Sequence, residues 1–162
     1  MLKPLKQFFC DTCGQLIENP EDGYVEWISL FQDNGTVLSK DFRIVHHQPK
    51  SPYTHIPSGC YNHDSKIGRS DLDLKTFLQY KHQYIFSFLN RGFLQDPNGE
   101  LPSEIEDYAA FVNFCRRVTI PYYEEARFYF DEALGDPCFN SCNEIRLFHE
   151  DILKSIINTF SE

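Results

Sequence analysis

Cys10-Asp11-Thr12-Cys13-Gly14 decides how the chain reads. Two cysteines stand two residues apart, with a glycine directly after the second. That is the shape of a metal knuckle: the tight turn aims both sulfurs at one point, and the small residue lets backbone N–H groups approach them. A knuckle supplies half of a tetrahedral ligand set. The other half is offered downstream in one place, where His46, His47, His55, Cys60 and His63 fall within eighteen residues.

The residues between these two clusters read as a β layer. Leu16 and Ile17 follow the knuckle, and Asn19-Pro20-Glu21-Asp22-Gly23 supplies a turn. Tyr24 to Phe31 is rich in aromatic and β-branched residues and predicts a strand. Asp33-Asn34-Gly35 is a hairpin signal, because Asn-Gly tolerates the positive φ angles of a tight turn. Thr36 to His46 predicts the return strand, with Phe42, Ile44 and His46 on one face by the period of two. Residues 48–59, with Pro49, Pro52, Pro57 and Gly59, predict an irregular loop that brings Cys60 back.

One structural zinc ion per chain is therefore expected, held by Cys10, Cys13, Cys60 and one histidine. His46, His47 and His63 are the candidates for the fourth ligand. His63 would complete a Cys-x-x-His knuckle with Cys60. His46 ends the return strand on the face of Phe42 and Ile44, which aims it at a knuckle packed on that hairpin, and it is the preferred choice. A β layer with several prolines and few aliphatic residues has a thin core, which a metal can reinforce.

After Gly68 the apolar period changes from two to 3.6. Ser70 with Asp73, Ser103 with Glu106, and Ser141 with Glu144 read as three capping boxes, and Pro121 as a first-turn proline. The first helix carries Leu74, Phe77, Leu78, Ile85, Phe88 and Leu89 and stops at Gly92. The second carries Ile105, Tyr108, Val112, Cys115 and Val118. The third runs through Tyr122, Ala126, Tyr129, Ala133 and Leu134 to Gly135, and the fourth is lined by Ile145, Phe148, His149, Ile152, Ile156 and Phe160. The fold class expected is α+β. A zinc-binding β hairpin module spans residues 1–68, and a four-helix antiparallel region spans 69–162 and packs against it.

The arrangement resembles small zinc-ribbon or treble-clef modules. More closely, it is similar to a group of uncharacterised bacterial proteins with an N-terminal CxxCG and a helical C-terminal region. The matching stretches are Cys10–Gly14, Pro20–Trp27, Ile44–His46 and Cys60. The resemblance implies a zinc module and carries no activity with it.

Charge narrows the partners. Residues 1–69 hold 7 Lys/Arg against 8 Asp/Glu, whereas residues 70–162 hold 8 against 16. An acidic C-terminal half repels phosphate backbones, so the expected partner is another protein rather than nucleic acid. No stretch approaches the roughly 18 apolar residues of a membrane span, and no secretory leader is visible at the start. The expected setting is cytoplasmic, with reduced thiols.

Other chemistries fit less well. A thioredoxin-like redox pair needs its Cys-x-x-Cys at a strand-to-helix junction, whereas this one precedes a hairpin. The stretch from Ile44 to His47, with Asn62 and His63, faintly resembles an HNH nuclease, which is the alternative function; there the last histidine belongs some turns along a helix. Pro137-Cys138-Phe139-Asn140-Ser141-Cys142 is one residue too long for a zinc deaminase, and no His-x-Glu occurs. Cys115, Cys138, Cys142 and His149 could form a second metal site. The simpler reading places Cys115 and His149 in a helical core. Glu124, Glu125, Glu144 and Glu150 lack the Glu-x-x-His pairs of a di-metal bundle and read as solvated faces.

Overall fold

A computed structural model describes residues 1–63, 67–90, 102–140 and 146–161, of Asn140 the backbone alone. The fold is α+β. Strands β1 (Phe8–Phe9) and β2 (Leu16–Ile17) pair antiparallel across the knuckle, Phe8 opposite Ile17. Strands β3 (Gly23–Phe31) and β4 (Val37–His46) form the expected hairpin, with Gly23 opposite His46 and Phe31 opposite Val37. Gly35 takes φ +80° in its turn, and the Thr36 amide donates to Asn34 Oδ1 at 2.9 Å.

The hairpin is not regular. Glu26 pairs with Arg43 while Ile28 pairs with Lys40, so β4 carries one extra residue there. Asp41, at φ +52°, absorbs the bulge. The kink leaves Phe42, Ile44 and His46 facing inward: Ile44 and His46 are buried, and Phe42 packs on the core.

Two further strands complete the sheet in the order β5-β3-β4-β6. β5 (Ser70–Asp73) runs antiparallel to β3, and β6 (Ser103–Ile105) runs parallel to β4. Both occupy stretches expected to be helix caps. Ser70 and Ser103 are therefore strand residues. The true cap of the following helix is Asp107, which accepts the Ala110 amide at 3.0 Å. Backbone pairing along an open sheet edge satisfies more groups than one cap would, and this outweighs the local preference of serine.

The described helices are shorter and more numerous than four. α1 (Leu74–Gln79) and α2 (Lys81–Phe88) are separated at Tyr80, and α3 (Tyr108–Thr119) follows β6. Tyr122, at φ +68°, breaks the chain before α4 (Tyr123–Ala126). A 3-10 turn at Arg127–Tyr129 then leads into α5 (Phe130–Gly135) and α6 (Pro137–Asn140). α7 (Glu150–Phe160) ends the fold. Gly92 and the Ser141–Glu144 capping box lie outside the described residues. No described helix is long and apolar enough to cross a membrane.

Two cores result. The first joins Phe8, Ile17, Val25, Ile44 and Val45 of the strands to Leu74 and Phe77 of α1 and to Phe111, Phe114 and Val118 of α3. The second joins Tyr123, Ala126, Ala133, Leu153, Ile156 and Ile157. The packing therefore changes hands after Val118, at the end of α3, while α1 and α3 pack against the strands. The buried face of α3 is also turned from the expected one: Tyr108 and Val112 are exposed, whereas Phe111, Phe114 and Arg117 are buried.

Candidate metal centre

The knuckle is a closed turn. The Cys10 amide donates to the Gln15 carbonyl at 2.9 Å, the Gly14 amide donates to the Cys10 carbonyl at 2.8 Å, and Gly14 sits at φ +72°. Phe8 and Ile17, both fully buried, root it in the first core. Asp11 fastens it to β4 at both backbone groups of Ile44: the Asp11 amide donates to Ile44 O at 2.8 Å, and Asp11 Oδ2 accepts Ile44 N at 2.6 Å. Two residues on, His46 ends β4 over the knuckle, and its amide donates to Cys10 Sγ at 3.4 Å.

Cys60 arrives on the irregular loop. Thr12 Oγ1 donates to the Cys60 carbonyl at 2.9 Å, tying the loop to the knuckle. Gly59 stands at φ +63°, and a Cβ there would lie 2.7 Å from Ser51 Cβ, so only glycine fits beside Ser51. Ser51 Oγ lies 3.0 Å from Cys60 Sγ.

Cys10, Cys13, His46 and Cys60 thus converge, with their ligand atoms all within 4.8 Å of one another. His46 Nδ1 is 3.3 Å from Cys13 Sγ and 4.0 Å from Cys60 Sγ. Ligands of one tetrahedral zinc stand about 3.5–3.8 Å apart, given Zn–S near 2.3 Å and Zn–N near 2.0 Å. The His46 ring is oriented from behind, with Nε2 3.2 Å from the Leu16 carbonyl. That carbonyl can only accept, so Nε2 carries the proton and Nδ1 presents its lone pair to the sulfurs. Burial pushes the Cys60 thiol up to about 12, with Ser51 working the other way, and it also raises Cys13. Thiols packed this closely resist ionisation unless a cation joins them. Three thiols and an imidazole around a small buried space fit a soft divalent metal, and this group could hold one.

The other histidines are engaged elsewhere. His47 lies against the Tyr24 ring at 4.7 Å, and His63 stacks on Tyr53 at 5.3 Å. Asn62, the residue of the nuclease pattern, gives its backbone N–H to Glu26 Oε2 at 2.7 Å, while its side-chain Oδ1 is buried without a hydrogen-bond partner among the described residues. Among the described residues the Cys10 cluster is the one group of this kind that could hold a metal ion. Cys115 is packed against the first core, where burial pushes its thiol up to about 11. Cys138 is exposed on α6, and Cys142 lies outside the described residues. His149 is exposed just before α7, contrary to its expected place in a core.

Sequence reasoning missed the polar network behind the knuckle. Arg117 is almost fully buried and makes five hydrogen bonds. Nε donates to Glu124 Oε2 at 2.6 Å, and Nη2 donates to Glu124 Oε1 and to the Phe9 carbonyl, each at 3.1 Å. Nη1 donates to Asp11 Oδ1 at 2.9 Å and Oδ2 at 2.7 Å. Burial alone works against the guanidinium charge, but the Asp11 and Glu124 carboxylates more than offset it, so its pKa is raised. Glu124, expected on a solvated face, is buried and also accepts the Phe9 amide at 2.9 Å. The signal was present: Arg117 lies three residues after Phe114 and beside Val118, on the apolar stripe. Glu26 was missed likewise. It is fully buried within β3 and paired with Arg43.

Comparison with protein-family models, with curated proteins and with solved structures finds no match.

Proposed function

We propose that Cys10, Cys13, His46 and Cys60 bind one zinc ion, that this zinc is structural, and that the protein acts by binding another protein rather than by catalysis. The observation that carries the zinc reading is the closed donor set. Four buried or half-buried ligand atoms lie within 4.8 Å of one another, three of them sulfur, and the single imidazole is already fixed through Nε2. Catalytic zinc keeps a position open for water or substrate, whereas structural zinc is filled by four protein ligands. The ion would supply cohesion, tying the knuckle, the end of β4 and the Cys60 loop to one point.

The zinc-ribbon or treble-clef resemblance belongs to the same proposal, as does a reducing, cytoplasmic setting, which keeps free thiols available to ligate. Protein rather than nucleic acid is the partner class favoured by the formal charge of −9. Exposed Phe31 and Phe86 offer apolar contact area. The nuclease alternative has less to carry it, because the zinc reading uses His46 as a ligand, and His47 and His63 lie against Tyr24 and Tyr53. Elemental analysis of the purified protein tests the metal: one zinc per chain is expected, falling to less than half on Cys60→Ser. No zinc, two zincs, or Mg2+-dependent cleavage of DNA by the zinc-loaded protein would overturn the reading.

A further inference from the structure

Cys10 is buried in the first core, and its neighbours on both sides are held by residues far along the chain. Phe9, before it, gives its amide to Glu124 and its carbonyl accepts from Arg117. Asp11, after it, is gripped by Arg117 through both carboxylate oxygens. Arg117 in turn holds Glu124 through two more hydrogen bonds. One guanidinium on α3 and one carboxylate on α4 therefore fix the backbone that carries Cys10. Neither residue reaches the sulfurs.

We propose that Arg117 and Glu124 are positioning residues for the metal, and that through them metal occupancy at the knuckle is coupled to the folding of α4. The proposal rests on the zinc reading above and deepens it. Asp11 is shared: one oxygen holds Ile44, two residues before the ligand His46, while both hold Arg117. A knuckle drawn in by its metal presents Asp11 and the Phe9 carbonyl to Arg117 in the geometry the planar fork requires. A loosened knuckle withdraws them and leaves Arg117 and Glu124 in a buried site with half their partners missing, which is costly. By linkage, a state of α4 that favours the bound knuckle must also raise metal affinity by the same factor. The flow runs both ways, and α4 belongs to the second core through Tyr123 and Ala126.

The test uses the full-length chain with Co2+ and Zn2+. Co2+ gives thiolate charge-transfer bands that show whether the three-sulfur site is intact, and Zn2+ affinity follows by competition with a chelating dye. Arg117→Lys keeps the charge and loses the fork. Asp11→Asn, at a partly exposed side chain, keeps the shape and the Ile44 contact and is the variant most sure to fold. Leu153→Ala weakens the second core without touching the clamp. Arg117→Lys and Asp11→Asn are expected to keep the wild-type cobalt spectrum and to lose about 10–100-fold in Zn2+ affinity, the range for outer partners of metal ligands. Leu153→Ala, measured well below its unfolding temperature, should bind as the wild type does. In wild type, hydrogen exchange of the Tyr123–Ala126 amides should accelerate when Zn2+ is chelated, and in Asp11→Asn it should be fast with or without the ion. Wild-type affinity in both clamp variants, or α4 exchange indifferent to Zn2+ in wild type, overturns the coupling and leaves the zinc site standing. A wild type that binds neither ion overturns both.

Discussion

The core around Phe114 is made of aromatic rings laid on a sheet, whereas the core around Leu153 mixes aliphatic, small and aromatic side chains between short helices. Phe42 meets Phe88 and Phe111 at 4.9 Å and Phe114 at 5.4 Å, and Trp27 meets Phe88 at 5.1 Å. Ala126, Ala133, Ile156 and Ile157 fill the second core, and its rings form a smaller cluster away from any sheet, Tyr123 meeting Phe130 at 5.5 Å and Phe148 at 5.8 Å. The first core also takes in a two-strand knuckle, through Phe8 and Ile17, and the Cys60 end of a proline-rich loop. Polar bonds tie these together and, on the zinc reading proposed above, so would a metal at Cys10, Cys13, His46 and Cys60. The second core has no such appendage among the described residues. On the zinc reading, metal should matter to the first core directly, and to the second through the Arg117 clamp and the neighbouring contacts of Leu2 with Glu125 and Phe9 with Phe128.

Removing the metal is the most drastic way to break the comparison. Structural zinc contributes on the order of 10 kcal/mol of apparent folding free energy in small modules. Complete chelation should unfold the knuckle and the Cys60 loop and red-shift the emission of Trp27. That tryptophan packs on α2 through Phe88, so its shift reports the whole first core and not the hairpin alone. The Ile156 and Ile157 amides of α7 should keep most of their protection from exchange. Equal loss of protection in both cores would mean that they fold as one unit and that the distinction drawn above is false.

Core truncations come next. Phe114→Ala should cost about 3–5 kcal/mol and Leu153→Ala about 2–5 kcal/mol, by lost burial and the cavity left behind. Urea midpoints measure both. The comparison is sharpened if Phe114→Ala also weakens zinc binding while Leu153→Ala does not. Midpoints that scarcely move would show that these side chains are not the packing centres.

A smaller effect separates high pH from neutral. Burial, with the Asp71 carboxylate beside the hydroxyl, pushes Tyr61 up to about 12. The neutral phenol is thus favoured by folding, so its contribution is complete below the unfolded value near 10 and is lost as pH rises through 12. Ultraviolet titration should find Tyr61 ionising late, alongside Tyr24, which burial and the Asp73 and Asp71 carboxylates also raise, and Tyr61→Phe should remove one late step. If Tyr61→Phe leaves the titration unchanged, the late phenol belongs elsewhere.

What the sequence made legible was the part governed by local chemistry. Cys-x-x-Cys-Gly can do little but make a knuckle, Asn34-Gly35 marks its turn, and the period of two placed His46 on the inner face beside Ile44. The parts that stayed hidden are set by distant partners. A one-residue bulge at Asp41 carries no clear composition signal. Glu26 sits in an aromatic strand because Arg43 waits on the next one. Arg117 and Glu124 look like ordinary helix charges until Asp11, more than a hundred residues earlier, is placed between them. Ser70 and Ser103 each stand three residues before an acidic side chain, which is a capping pattern, and only the open edges of the β3–β4 hairpin make them strands.

That last confusion gives the smallest and most local prediction. A serine or aspartate that caps a helix contributes about 1 kcal/mol, because replacing it with alanine orphans an amide in the first turn. Asp107 is such a cap, accepting the Ala110 amide, so Asp107→Ala should destabilise the protein by about that much. Ser70 is a strand residue whose hydroxyl lies 3.3 Å from Ser29 Oγ, and its backbone pairs with Trp27. Ser70→Ala keeps the backbone ladder and gives up one weak side-chain contact, so its cost should stay within about 0.5 kcal/mol, as for changes away from caps and cores. Thermal midpoints of the two variants under identical zinc loading decide between the readings. A larger loss from Ser70→Ala than from Asp107→Ala would put the helix start back at residue 70 and remove β5 from the sheet.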